Sequence, residues 1–251
     1  MSRQDIVTQH FDASARDGSY AEFYASTEHT PHNHDFLARV DCVERLLSGY
    51  LKRGMTVLDL GCGPGPISDF VLSQGARYTG VDVSQAMLDR VPKRDGVETK
   101  IGSSEAIPFG DNSFDAVVGM GLIEYFDDPR LTLKEIARVT RRNGLAVVTV
   151  PNKRSLNRFI LRHSEVVTML YRMRKPASKV IVHREFTPGE LNTDMTNFGF
   201  RRVGEAYYDF KLLPYPITRI SSQLAFMINR RVEGKLPGFF ANGYIGSFQK
   251  Q

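Results

Sequence analysis

The sequence predicts an α/β domain, and two stretches carry that reading. The first is TVLDLGCGPG, residues 56–65, where an apolar run (Val57, Leu58, Leu60) stops at glycines on alternate positions, Gly61, Gly63 and Gly65. Apolar residues that end in glycines read as a buried strand feeding a tight turn, with a helix over residues 67–74 behind it. The second is the apolar run of residues 78–81, which ends in Asp82, 21 positions after Gly61. A chain of 251 residues is long enough to bury a sizeable core around such a sheet.

The turn has a chemistry of its own. Glycine has no Cβ, so the backbone reaches positive φ and a ligand can approach it closely. The helix N-terminus that follows offers free N–H groups to a negative group. Asp59, next to the strand's end, supplies a carboxylate suited to a cationic group such as an ammonium, and Cys62 lies within the turn. The spacing departs from the dinucleotide pattern G-x-G-x-x-G, because position 66 is Pro. An acidic residue at the end of a second strand can accept both hydroxyls of a ribose. Glycine turn and Asp82 together therefore imply a nucleoside ligand without a pyrophosphate.

Further strands are expected at residues 97–101, 114–120 and 145–150. The ordered series VLDLGCGPG, YTGVDVSQAML, GSSEAIPFGDNSFDAVV and RRNGLAVVTVPN resembles the class I S-adenosylmethionine-dependent methyltransferases. Among them it is most similar to the small-molecule enzymes of the ubiquinone/menaquinone methylase type, over roughly residues 40–152. The resemblance implies a Rossmann-like, seven-stranded sheet, mostly parallel with the last strand antiparallel and helices on both faces. It also implies S-adenosylmethionine as cofactor and S-adenosylhomocysteine as product. Asp82, with Val83 beside it, would hold the ribose, and Gly61 and Gly63 the amino-acid end.

The family's third motif often places an Asp after its glycine, to meet the adenine amino group. Here Ser103 follows Gly102, so Ser103, Ser104 or Glu105 would take that role, with Ile107, Pro108 and Phe109 as an apolar wall. Met120 and Leu122 would border the cofactor, and Arg39 would meet its carboxylate. After the fourth strand stands Met-Gly-Leu-Ile-Glu-Tyr (120–125), not the Pro-Pro-aromatic signature of amino-group methylases of nucleic acids. The fifth strand ends in Pro151-Asn152 rather than the acidic pair of metal-dependent catechol-type enzymes, so no metal is expected. Glu124 and Tyr125 would face the substrate or cap the following loop.

Taken in order, residues 1–50 read as a helical cover, 51–152 as the cofactor-binding core, 153–186 as a lid insertion and 187–251 as C-terminal helices with the final strand pair. In the cover, Phe36, Leu37, Val40, Val43, Leu46, Leu47 and Tyr50 recur at helical spacing. His29, His32 and His34 suggest a metal only weakly, because no carboxylate or cysteine spacing completes a site. By the resemblance this segment covers the cofactor's mouth, which makes His34, Tyr20 and Tyr24 candidate substrate contacts.

Residues 152–184 hold nine Lys/Arg against Glu165 alone, a net of +8, so the rest of the chain carries −3 of the total +5. On a helical wheel Leu156, Phe159, Ile160, His163, Val167 and Leu170 share one face, and Arg154, Arg158, Arg162 and Arg172 oppose it. Such a helix can bury its apolar face at home or lie on a membrane surface. Thr187-Pro-Gly-Glu190 reads as a capping box opening a helix. His183, just before it, is the first choice for a base. Tyr208 and Tyr215 add aromatic surface toward the pocket.

Composition is that of a soluble globular protein, 41% hydrophobic and 24% charged. The polar start MSRQDIVTQH does not read as a signal peptide, and Cys42 and Cys62 suggest neither metal site nor disulfide. A cytoplasmic enzyme is the expectation, methylating oxygen on a small acceptor with an apolar portion, with no nucleic-acid partner and a peripheral membrane contact through the lid. Two other classes stay open: an RNA-modifying methyltransferase that uses the basic segment, and an inactive cofactor-binding subunit.

Overall fold

The computed structural model describes residues 3–17, 24, 28–163, 183–212 and 222–251. Seven strands form one sheet in the order β3-β2-β1-β4-β5-β7-β6. They are β1 (Thr56–Leu60), β2 (Arg77–Asp82), β3 (Val97–Ile101), β4 (Phe114–Gly119), β5 (Thr140–Pro151), β6 (Phe200–Phe210) and β7 (Ala241–Lys250). β1 pairs in parallel with β2 and β4, and only β7 runs against its neighbours β5 and β6. The expected sheet, parallel except for its last strand, is the one found.

Strand alternation divides the core in two. Val57, Ala116, Val118 and Val147 point to the face covered by α2 (His34–Ser48) and α3 (Ser68–Ser73), against Val43, Leu47 and Val71. Leu58, Val117, Ala146 and Val148 point to the other face, against Leu133 and Ile136 of α5 (Arg130–Val139) and Leu191 and Met195 of α7 (Pro188–Asn197). Successive strand side chains alternate between faces, so every central strand is apolar on both sides. The remaining helices are α1 (Arg3–Asp17), α4 (Gln85–Leu88), α6 (Leu156–His163) and α8 (Ser222–Val232).

The capping box at α7 is present: the Thr187 hydroxyl accepts the Glu190 N–H at 3.1 Å, and the Glu190 carboxylate accepts the Thr187 N–H at 2.7 Å. β5 begins five residues earlier than its apolar run. Its leading TRRNG segment stays in the sheet because Thr140 pairs with Phe114 across a register shift, with Asn143 at φ 63°. No helix among the described residues is long and apolar enough to cross a membrane.

Candidate cofactor and acceptor site

The strand order reverses between β1 and β4, where an open α/β sheet leaves a crevice outside the carboxyl ends of its strands. A cavity of about 660 Å³, counting its open mouth, lies there. Gly61 and Gly63 enter it from the end of β1, Asp82 and Val83 from β2, Gly102 and Ser104 from β3, and Gly121, Leu122, Tyr125 and Phe126 from β4. Four consecutive parallel strands thus each deliver their first loop residues to one place.

The glycine turn needs its glycines. Gly61 sits at φ 68° and Gly63 at φ 52°. A Cβ on Gly61 would stand 2.9 Å from the Leu122 side chain across the cavity wall. Gly63 also donates its N–H to Asp82 Oδ2 at 2.9 Å, while the Ser84 N–H reaches Asp82 Oδ1 at 2.9 Å. The Asp82 carboxylate is therefore fixed from both sides and half-buried. Burial pushes its carboxyl upward, against the two backbone hydrogen bonds.

Asp59 lies behind the turn and is fully buried, off the cavity wall. Its Oδ2 accepts the Tyr78 hydroxyl at 2.9 Å, its Oδ1 has no partner, and burial pushes its carboxyl up to about 7. Cys62 is buried too, its sulfur close to Gly80 and Tyr78. Neither residue touches the space directly.

Among the third-motif candidates, Ser104 lines the cavity and shares a 3.1 Å hydrogen bond with Thr132. Ser103 instead accepts the Glu105 N–H, and neither Ser103 nor Glu105 lines the cavity. Met120 is packed in the core beneath, and Gly121 and Leu122 form the wall in its place.

Arg39, on α2, leans on that wall. Gly121 has φ 65°, its N–H is held by the Thr149 hydroxyl at 2.8 Å, and a Cβ on it would meet Arg39 Nη1 at 2.6 Å. Arg39 also donates to the Tyr24 hydroxyl at 3.3 Å. Glu124 and Tyr208 are buried beside it, and burial raises both groups while Arg39 counters the shift. Arg39, Glu124, Tyr24 and Tyr208 thus form one polar cluster next to the cavity. Tyr20 and Tyr215 lie outside the described residues.

The two histidines part company. His183 is exposed and rests on the Tyr125 ring, centroids 4.9 Å apart. His34 is buried away from the wall, with its Nδ1 3.0 Å from His29, its Nε2 3.5 Å from Glu233 and its ring against Phe226. Burial lowers its imidazole to about 4, against the pull of Asp209, so it is neutral near pH 7.

Two further wall residues belong to the segment read from sequence as a helical cover. Thr8 and Phe11 of α1 close the mouth, with Phe11 edge-on to Tyr125 at 5.4 Å. Asp12 meets the Ser84 hydroxyl, and Arg90 meets the Ala15 carbonyl. The spacing Val7, Phe11, Ala15 carries a helical signal that would have found this cover. Of the basic segment, α6 is described. Arg158 pairs with Glu185 at 3.1 Å, Arg162 meets the same carboxylate, and Lys153 lies 3.4 Å from Glu190. Phe159 is 52% exposed, so the outward face of α6 is in part the apolar one.

The fold and the site define a class of protein, and comparison with known proteins agrees. Residues 58–148 match the methyltransferase domain family. A ubiquinone biosynthesis O-methyltransferase of Azorhizobium caulinodans is 29% identical over 156 residues, 59% of this chain and 59% of that protein. A demethylmenaquinone methyltransferase of Corynebacterium glutamicum is 40% identical over 98 residues, 39% of this chain and 42% of that protein. The chain spans about half the length of the curated relatives it matches. The crystal structure of magnesium protoporphyrin IX methyltransferase from Synechocystis PCC 6803, with bound S-adenosylhomocysteine, superposes with a TM-score of 0.68. That likeness has 15% identity, covers 99% of this chain and 100% of that one, and shows the fold. Over residues 58–148 the chain is thus similar to a methyltransferase domain.

Proposed function

We propose that the chain is a metal-independent, S-adenosylmethionine-dependent methyltransferase that methylates oxygen on a small acceptor with an apolar portion. One observation carries the reading: Asp82, held between Gly63 and Ser84, faces a cavity rimmed by the positive-φ glycine turn. The residues present fit the cofactor. Asp82 has its oxygens aimed by the backbone for two ribose hydroxyls. Gly61 leaves open the space a Cβ would fill and Gly63 shares its positive φ, so the amino-acid end can lie on the turn, with Arg39 behind Gly121 for its carboxylate. Val83, Met87, Gly102 and Ser104 form the side available to the base.

When bound, the cofactor supplies a methyl group on a sulfonium, which makes the sulfur a good leaving group. The protein's own share is alignment, exclusion of water and handling of one proton. Phe11, Leu122, Tyr125 and Phe126 give the wall its apolar part, which favours an apolar acceptor and keeps water out. Well-aligned approach alone is worth roughly 7–11 kcal/mol, so chemistry needs little beyond it. The name of one relative, a ubiquinone biosynthesis O-methyltransferase, supports an oxygen acceptor. A lipid-surface contact through residues 153–186 has less support, since Arg158 and Arg162 are engaged with Glu185.

The test is incubation with labelled S-adenosylmethionine and small-molecule or lipid extracts, followed by identification of the labelled product. A folded protein that binds no S-adenosylmethionine refutes the reading.

A further inference from the structure

The stretch of chain that lines the cavity past β4 is held in place from outside itself. Leu122, Tyr125 and Phe126 stand on or beside a single 3-10 turn (Ile123–Tyr125). Inside that turn the hydrogen bonds are long, 3.2 Å from the Tyr125 N–H to the Leu122 carbonyl and 3.3 Å from the Phe126 N–H to the Ile123 carbonyl. A lone 3-10 turn has poor hydrogen-bond geometry and little stability of its own. The bonds that reach it from elsewhere are shorter. Thr149 of β5 holds the Gly121 N–H at 2.8 Å, which fixes the start. Arg184 holds the rest: its N–H donates to the Glu124 carbonyl at 2.8 Å, and its Nη1 to the Asp127 carbonyl at 2.6 Å.

Arg184 can do this because its own place is set independently. Its guanidinium lies over the Phe186 ring, 4.9 Å from the centroid, and Phe186 is 1% exposed. Stacking of that kind holds the planar group ready for its hydrogen bonds. The Phe186 backbone is tied in turn to the end of β5. Its N–H donates to the Pro151 carbonyl at 3.0 Å, and its carbonyl accepts the Lys153 N–H at 2.9 Å. The residues on either side of Arg184 grip other parts: His183 rests on the Tyr125 ring, and Glu185 binds Arg158 and Arg162 of α6. Residues 183–186 are thus a strap from the end of β5 to the cavity wall, with α6 fastened to its middle. Arg130, close by, makes a contrast, since it pairs with the Asp128 carboxylate at 2.6 Å.

We propose that Arg184 is a positioning residue for methyl transfer: it sets where Leu122, Tyr125 and Phe126 stand, and so where the acceptor lies against them. The inference rests on the cavity being a methyl-transfer site. A charged donor binds a carbonyl more strongly than a neutral one, so one side chain suffices to choose the position of a weak turn. Through Glu185 the same strap makes that position depend on α6, so a shift of α6 is felt at the wall. The groups proposed for the cofactor are anchored separately, since Gly63 and Asp82 hold each other and Ser84 holds Asp82 from its other side.

The test compares wild type, Arg184→Ala and, as a control for loss of a neighbouring surface charge, Arg130→Ala. Both arginines are exposed, so both variants keep the fold. In complexes with S-adenosylhomocysteine, Arg184→Ala speeds amide exchange of residues 122–127 by about 10–100-fold, the weight of one charged hydrogen bond. Exchange over residues 56–82 stays as in wild type. With saturating labelled S-adenosylmethionine, and small-molecule and lipid extracts as acceptors, its rate of transfer falls by about 10–100-fold, because a displacement of about 1 Å suffices for that. Its KM and Kd for the cofactor stay within about threefold of wild type, and Arg130→Ala matches wild type in every readout. Exchange that is unchanged at residues 122–127, or faster throughout the sheet, overturns the assignment. So does transfer that Arg184→Ala leaves intact, a loss that follows a raised cofactor KM, or a loss that Arg130→Ala shares. Wild type that binds no S-adenosylmethionine, or transfers no label, would instead remove the methyltransferase reading and this inference with it.

Discussion

Replacing Asp82 by Ala tests the site at its most determined point. The carboxylate accepts two backbone N–H groups at 2.9 Å each, from Gly63 and Ser84, and its remaining lone pairs face the cavity. Two ribose hydroxyls donating to a carboxylate are worth about 1.5–3 kcal/mol each. Their joint loss, about 3–6 kcal/mol, corresponds to roughly 10²–10⁴-fold in Kd. The Gly63 N–H, left without its acceptor, also frees the glycine turn, which adds to the loss. Because Asp82 is the half-buried last residue of β2 and not part of the apolar core, the sheet should survive. Titration calorimetry with S-adenosylmethionine and S-adenosylhomocysteine measures the affinity, and circular dichroism checks the fold. A folded variant that binds within about threefold of wild type would refute the assignment, since even one such hydrogen bond is worth more than that.

Other expectations follow from particular contacts. Activity is expected to persist in excess chelator; its loss there, with recovery on adding magnesium, would contradict the metal-free reading. Burial pushes Asp59 from 3.8 to about 7, so the fold favours its protonated form. That stabilisation is complete below the unfolded value of ~4 and is lost as pH rises through the folded one. Asp59→Asn should therefore gain on wild type between about pH 4 and 8, by up to roughly 4 kcal/mol, and a pH-independent difference in urea stability would count against it. Gly121→Ala, at φ 65° and against Arg39, should cost about 1–2 kcal/mol and weaken cofactor binding; unchanged calorimetry would detach Arg39 from the site. Thr187→Ala removes the hydroxyl half of the α7 cap, for about 1 kcal/mol in urea unfolding with cofactor affinity intact.

The sheet was legible because its strands are short apolar runs that stop at glycine or acid. Val97–Ile101 was placed to the residue, although four of its five side chains are exposed, because it sits between a turn and Gly102. Residues whose role is set by backbone were readable in the same way: Gly61, Gly63 and Asp82 lie where strand ends must lie. Residues whose role depends on tertiary approach were not. Met120 and Leu122 are both apolar and two positions apart, but only Leu122 reaches the wall, because Gly121 turns the chain between them. His34 follows the same rule: its place at the start of α2 suggests the mouth, and packing against Phe226 and Glu233 holds it elsewhere.

The N-terminal helix and the proposed cofactor anchor are physically linked. Ser84 donates its N–H to Asp82, caps α4 through the Met87 N–H at 3.2 Å, and meets Asp12 of α1 with its hydroxyl. A single serine thus joins the carboxylate proposed for the ribose to the helix whose Thr8 and Phe11 line the cavity. Asp12 also pushes the Asp82 carboxyl upward, so the closed cover carries a like-charge cost when both are ionised. Hydroxyl donors on the ligand relieve that cost by satisfying Asp82, which makes the closed arrangement more favourable with cofactor in place than without. The glycine turn and Asp82 could be read from spacing because they lie in one strand–turn–strand. Their link to Phe11 and Asp12, 49 to 71 residues away, exists only once α1 is packed on α4.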